Sequence, residues 1–155
     1  MGITQTTAFI DLDAIRHNFG EVRRSIRDNV AIMAIVKADA YGHGARGVCR
    51  ELVACGVDWF GVARLSEAVE LRRFGIVKPI LILGYTAPTL ARTLGEEKLT
   101  QTVFNEDYAR ALSEAAVAAG VRIDCHIKLD TGMTRIGFYG GTPAETADRV
   151  AGILS

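Results

Sequence analysis

The sequence predicts an α/β protein built on a parallel sheet with helices packed against it. Short β-rich runs alternate regularly with helical stretches along the chain. The β-rich runs are near-continuously apolar rather than alternating, which is the pattern of strands buried on both faces. No low-complexity stretch or shift of composition divides the 155 residues, a length sufficient for one compact domain with a real core.

The first run, AFIDL at residues 8–12, is strand-like, and Asp13 is placed to cap a helix reaching about Arg27. AIMAIVK (31–37) is the next strand, followed by a glycine-rich loop and a helix over 45–54. WFGVA (59–63) precedes a helix ending near residue 74, and PILIL (79–83) precedes a weaker helix near 89–94. TQTVF (100–104) leads to an Ala-rich helix over 106–119. VRIDCHIK (121–128) then runs through DTGMTRIGFYGG to a helix opening at Thr142. There Thr142-Pro143-Ala144-Glu145 combines an N-cap threonine, proline at the first helical position and glutamate at the third. Counted from AIMAIVK, about five strand–helix units are present. A complete (β/α)8 barrel takes roughly 250 residues, so the pattern fits either an open doubly wound sheet or part of a barrel.

Composition excludes several classes of function. Eighteen basic residues balance eighteen acidic ones, so no net field recruits nucleic acid or an anionic membrane. No stretch reaches the about 20 apolar residues of a membrane helix, and the opening MGITQTTAF has no signal-peptide pattern. Cys49, Cys55 and Cys125 form an odd set without metal-ligand spacing, which argues against a disulfide framework or structural zinc. Cys125 lies in an apolar run and reads as a small core residue. A reducing cytoplasm and no bound metal are the expectation.

Two lysines close apolar strands, Lys37 after AIMAIV and Lys128 after IDCHI. Active sites of parallel α/β folds lie at the C-terminal strand ends, and partial desolvation there makes a lysine amine a usable nucleophile or base. As strands one and five of eight, the two would face each other across a barrel mouth. A strand-end lysine is also simply where a chain re-enters water. Around Lys37, however, the sequence reads VKADAYGHG (36–44), with glycines that allow close backbone approach to a ligand and Tyr41 four residues beyond the lysine. His43 reads as a loop-holding hydrogen-bonding group, His126 shares strand parity with Lys128 and Asp124 as a polar interior residue, and His17 falls among surface charges. Leu83-Gly84, at the end of the third strand, fits either core packing or a place beside a ligand.

VKADAYGHG resembles the cofactor-lysine signature of the alanine racemases, fold-type III pyridoxal-phosphate enzymes. The opening IDLDAIRHN (10–18) and KLDTGMTRIG (128–137) resemble two further segments of that family. The resemblance implies the N-terminal portion of a (β/α)8 barrel over residues 1–155, followed in the family by a β-rich domain, in a head-to-tail homodimer. It implies that Lys37 carries pyridoxal 5'-phosphate and acts as one of two bases at the substrate Cα. Tyr41 would bind the cofactor phosphate, Arg135 the phenolic oxygen of its ring, and Lys128 matches a lysine that is carbamylated in many members. The implied reaction interconverts L- and D-alanine, supplying D-alanine for peptidoglycan.

The same resemblance implies that three barrel strands, the later phosphate loops and the partner's tyrosine base lie outside residues 1–155, so the isolated chain is expected to be inactive. A serine or broad-specificity racemase, an amino-acid decarboxylase, a non-catalytic pyridoxal-phosphate carrier and a ligand-free interaction module are the alternatives.

Overall fold

The computed structural model describes residues 6–154; the reading of the extreme N-terminus as lacking a signal peptide falls partly on residues outside that range. Five strands form one sheet: β1 (Met33–Ile35), β2 (Trp59–Val62), β3 (Ile80–Ile82), β4 (Thr100–Val103) and β5 (Asp124–Ile127). All neighbours are parallel and their order is β1-β2-β3-β4-β5. A doubly wound sheet reverses its strand order at a switch point. Here the order never reverses, and right-handed crossovers in unbroken sequence place all the helices on one side. That is the arrangement of a (β/α)8 barrel, of which these are five consecutive units.

Curvature is visible in a contact across the other face. Register aligns Trp59 with Met33, and Thr102 with His126. Trp59 of β2 and His126 of β5 have ring centroids 5.5 Å apart. In a flat sheet three strand spacings would separate their backbones by about 14 Å, so the sheet bends until its second and fifth strands look toward each other. His126 thus lies on the concave face, as its strand parity predicts, but it is exposed there. The opposite face carries Phe60, Val62, Ile80, Ile82 and Val103, which are buried with Cys49, Leu52, Leu71, Leu94 and Leu112 of the helices.

The helices are α1 (Leu12–Ser25), α2 (Ala45–Ala54), α3 (Leu65–Arg73), α4 (Ala91–Glu96), α5 (Glu106–Ala119) and α6 (Pro143–Leu154). Most lie where the sequence pattern puts them, because cap chemistry marks their ends. Asn105 accepts a bond from the Tyr108 N–H at 2.7 Å to open α5, and Gly120 closes it at φ 67°. The box expected at α6 is formed: the Thr142 N–H donates to Glu145 Oε2 at 2.6 Å, and the Glu145 N–H donates to Thr142 Oγ1 at 3.3 Å.

Three expectations fail. AFIDL is not a strand: no strand pairs with it, Phe9 is 92% exposed, and α1 already begins at Leu12. The cap of α1 is Asp11, whose carboxylate accepts from the Ala14 N–H at 3.0 Å, leaving Asp13 inside the first turn. Cys125 is exposed rather than core, because β5 is the sheet's edge and helical cover is thin there. Among the described residues no helix is long and apolar enough to cross a membrane, and no cluster of three or more His, Cys, Asp or Glu could hold a metal.

Candidate functional site

The C-terminal ends of the five strands share one rim, and the sequence motifs fall on it. Val36 is buried and its N–H donates to the Gly61 carbonyl at 2.9 Å, extending the β1–β2 ladder by one residue. Lys37 follows immediately. The next four residues, Ala38, Asp39, Ala40 and Tyr41, have φ of 51°, 55°, 53° and 55°. This is one turn of left-handed helix made without glycine, where the sequence predicts only a glycine-rich loop. Each non-glycine residue in that region costs about 1–2 kcal/mol, so the turn persists only because its surroundings fix it.

Several bonds do so. Inside the turn the Ala40 N–H donates to the Val36 carbonyl at 2.9 Å and the Gly42 N–H to the Ala38 carbonyl at 3.1 Å. Asp39 Oδ1 accepts from the Ala45 N–H at 2.6 Å, satisfying an orphan donor of α2. His43 Nδ1 lies 3.0 Å from the Ala40 carbonyl, the loop-holding part its sequence context suggests. The Ala38 N–H donates to Glu67 Oε1 at 2.8 Å, while Glu67 Oε2 accepts from Ala63 and Arg64 at 2.7 and 3.1 Å. The Lys37 Nζ sits 5.8 Å from the centre of the Tyr41 ring, and Tyr41 itself is 61% exposed.

Across the rim, Lys128 continues the β4–β5 ladder, its N–H donating to the Val103 carbonyl at 2.8 Å. The loop after it is organised by Asp130. Its Oδ1 accepts from Gly132 and Thr134 at 2.9 Å each, and its Oδ2 from Arg135 at 3.0 Å. The N–H groups of Thr134 and Gly132, with that of Arg135, hold the Asp130 carboxyl below the usual aspartate range. Bonds between Asp130 N–H and Phe138 carbonyl (2.9 Å) and between Phe138 N–H and Lys128 carbonyl (2.8 Å) close the loop on itself. Gly137 is required there, since a Cβ would lie 2.7 Å from the Asp130 nitrogen and its φ is +145°.

Lys37 and Tyr41 are thus brought together. Lys128 and Arg135 share one loop on the far strand of the arc. No carboxylate among the described residues pairs with Lys37, Lys128 or Arg135. The sequence reading missed Asp39, Glu67 and Asp130. The two aspartates carried a signal, being Asx residues inside turns. Glu67 carried a weaker one, as a glutamate at the third position of α3.

Architecture alone defines the class: five consecutive units of an α/β barrel, with basic side chains that have no carboxylate partner among the described residues at the ends of the first and fifth strands. The profile of the family described as alanine racemase, N-terminal domain, matches residues 10–154. The chain belongs to that family. It is 49% identical over 137 residues to alanine racemase 1 of Caldanaerobacter subterraneus subsp. tengcongensis, covering 88% of this chain and 35% of that protein. It is 45% identical over 124 residues to a serine/alanine racemase of Enterococcus gallinarum, covering 80% of this chain and 17% of that protein. The solved alanine racemase of Clostridium difficile 630 superposes with a TM-score of 0.86 at 38% identity, over 93% of this chain and 37% of that one. The chain spans about a third of the length of the first of these relatives.

Proposed function

We propose that this chain is the lysine-bearing part of a pyridoxal-phosphate-dependent racemase that interconverts L- and D-alanine. The observation that carries the reading is Lys37 at the end of β1, its amine without a carboxylate partner among the described residues, followed by a bond-held left-handed turn that sets Tyr41 beside it. An aldehyde-bearing phosphate ester wants a primary amine for the aldehyde and hydroxyl or cationic groups for its anionic oxygens. Lys37, Tyr41 and Arg135 are of those types. When bound, pyridoxal phosphate supplies the electron sink.

The chain's residues then have distinct work. Lys37 anchors the cofactor and removes or returns the substrate Cα proton on one face. Tyr41 holds the phosphate, and Arg135 the ring's phenolic oxygen. Lys128 carries a carbamate, which turns one of two neighbouring cations in a single loop into an anion able to accept from Arg135. Residues 1–155 form the first part of the barrel domain, a β-rich domain completes the protein, and a second protomer contributes the opposite-face base. The free cysteines support a cytoplasmic setting.

Serine is the second substrate to try, because one relative's name joins serine with alanine. The test is formation of D-alanine and D-serine from the L-isomers by the full-length protein loaded with pyridoxal phosphate. Turnover of neither, with pyridoxal phosphate bound, would point to a carrier instead.

A further inference from the structure

We infer that Glu67 is a positioning residue for Lys37, acting through the backbone of the left-handed turn; the inference rests on the function proposed above and names what holds its lysine in place. The Ala38 N–H is the first amide after Lys37, and its partner is Glu67 Oε1 at 2.8 Å. The other carboxylate oxygen takes the two amides that follow β2, Ala63 at 2.7 Å and Arg64 at 3.1 Å. One side chain from the first turn of α3 therefore fastens the end of β1 to the end of β2. Internal bonds alone do not define where the turn sits, because they move with it. Glu67 is the group from a different element that fixes its first residue.

Four consecutive left-handed residues without glycine would relax toward right-handed or extended backbone if released. Relaxation at Ala38 rotates the peptide that joins it to Lys37, so the lysine Cα–Cβ direction changes with it. The amine would then spend part of its time away from the rim, and Tyr41 would separate from it. Substrate contacts are untouched by such a change. The loss belongs to cofactor attachment and to the proton step, not to substrate affinity.

Chemistry decides which variants are informative. Glu67→Gln keeps one acceptor oxygen but turns an NH2 toward the remaining amide donors, so one of the two strand ends loses its anchor. Glu67→Ala frees both. Bonds to a charged acceptor are each worth roughly a tenfold change in an equilibrium. The expectation is that Glu67→Ala lowers pyridoxal-phosphate retention and kcat on the order of tenfold to a hundredfold, with KM for alanine nearly unchanged and Glu67→Gln intermediate.

The experiment uses the full-length protein in three versions, wild type, Glu67→Gln and Glu67→Ala, with Arg72→Met as a variant that loosens the opposite end of the barrel. Borohydride-trapped cofactor is mapped to peptides, and amide hydrogen exchange is followed over residues 38–42. Support is a loss of Lys37 trapping in Glu67→Ala, exchange at 38–42 faster by about tenfold or more, and neither change in Arg72→Met. Glu67→Ala with wild-type exchange at 38–42 overturns the inference, as does faster exchange with wild-type trapping and kcat. Wild-type protein that traps no cofactor on Lys37 defeats the proposed function instead, and exchange at 38–42 then decides on its own whether Glu67 holds the turn.

Discussion

Arg72, in the last turn of α3, closes the end of the sheet opposite the candidate site. Its guanidinium donates to four carbonyls: Ile76 at 2.7 Å, Lys78 at 2.9 Å, Glu97 at 2.9 Å and Lys98 at 3.1 Å. The first pair belongs to the connection from α3 to β3, the second to that from α4 to β4. One side chain thus staples two neighbouring helix-to-strand loops. Arg72→Met keeps the aliphatic stem and removes every donor. A bond to a charged group is worth roughly 1.5–3 kcal/mol when fully made, but these carbonyls are only partly buried and water can replace some of the donors. Taking about 0.5–1 kcal/mol for each gives a loss of about 2–4 kcal/mol. For a protein of this size that is roughly 5–15 °C in melting temperature. Thermal unfolding followed by circular dichroism measures it. A variant melting within about 1 °C of wild type would show that solvent serves these carbonyls as well as the guanidinium does, and would refute the staple.

Three further predictions concern the site and its surroundings. Lys37→Ala should abolish borohydride-reducible cofactor and lower turnover by at least the about 10²–10⁴-fold of one acid–base group; cofactor trapped on Lys128 or Lys78 in wild type would refute the assignment. Lys128→Ala should lose activity that a small carboxylic acid partly restores, and failure of every small acid to restore any would count against a carbamate there. Glu106 is held at about 2, from an ordinary 4.5, chiefly by hydrogen bonding from Arg149, which also binds Glu106 Oε2 through its second nitrogen at 2.9 Å. A depressed carboxylate stabilises the fold above its unfolded value. The α5–α6 pairing is therefore lost as pH falls from about 4.5 toward about 2. Acid titration of Glu106→Gln should lack that component, and identical acid profiles for the two proteins would contradict the pairing's role.

Much of this was legible in the sequence for identifiable reasons. Apolar runs located β1 to β5 because a parallel strand must be hydrophobic on both faces. The Thr142–Glu145 box marked a helix start because caps answer local backbone needs. AFIDL misled for the complementary reason: its composition suits a strand, but a strand also needs a neighbour, and no composition records one. The left-handed turn was hidden by its lack of glycine, the one residue whose presence would have announced it. Its supports come from Asp39 within the turn and from Glu67, 29 positions beyond Ala38; only folding brings Glu67 Oε1 within 2.8 Å of the Ala38 nitrogen. The motif VKADAYGHG therefore pointed to the rim formed by the C-terminal strand ends without revealing how that rim is held.

The two ends of the barrel arc are built on different terms. On the candidate rim, every strand end from β1 to β4 is tied to its neighbour by a bond or close packing at the backbone. Glu67 ties β1 to β2. Gly84 lets the end of β3 lie against the Ala63 carbonyl, where a Cβ would come within 2.6 Å. Gln101, wholly buried in β4, donates to the Gly84 carbonyl at 2.7 Å, and the buried Tyr108 hydroxyl donates to the Thr86 carbonyl at 2.8 Å just beyond. Yet the side chains with chemistry to offer, Lys37, Lys128 and Arg135, have no carboxylate partner among the described residues. A stiff backbone carrying unneutralised donors is what a preorganised site requires, because the cost of ordering is met in folding and the donors remain available for a ligand. At the other end Arg72 donates to four carbonyls of the loops before β3 and β4, so those acceptors are already taken within the fold.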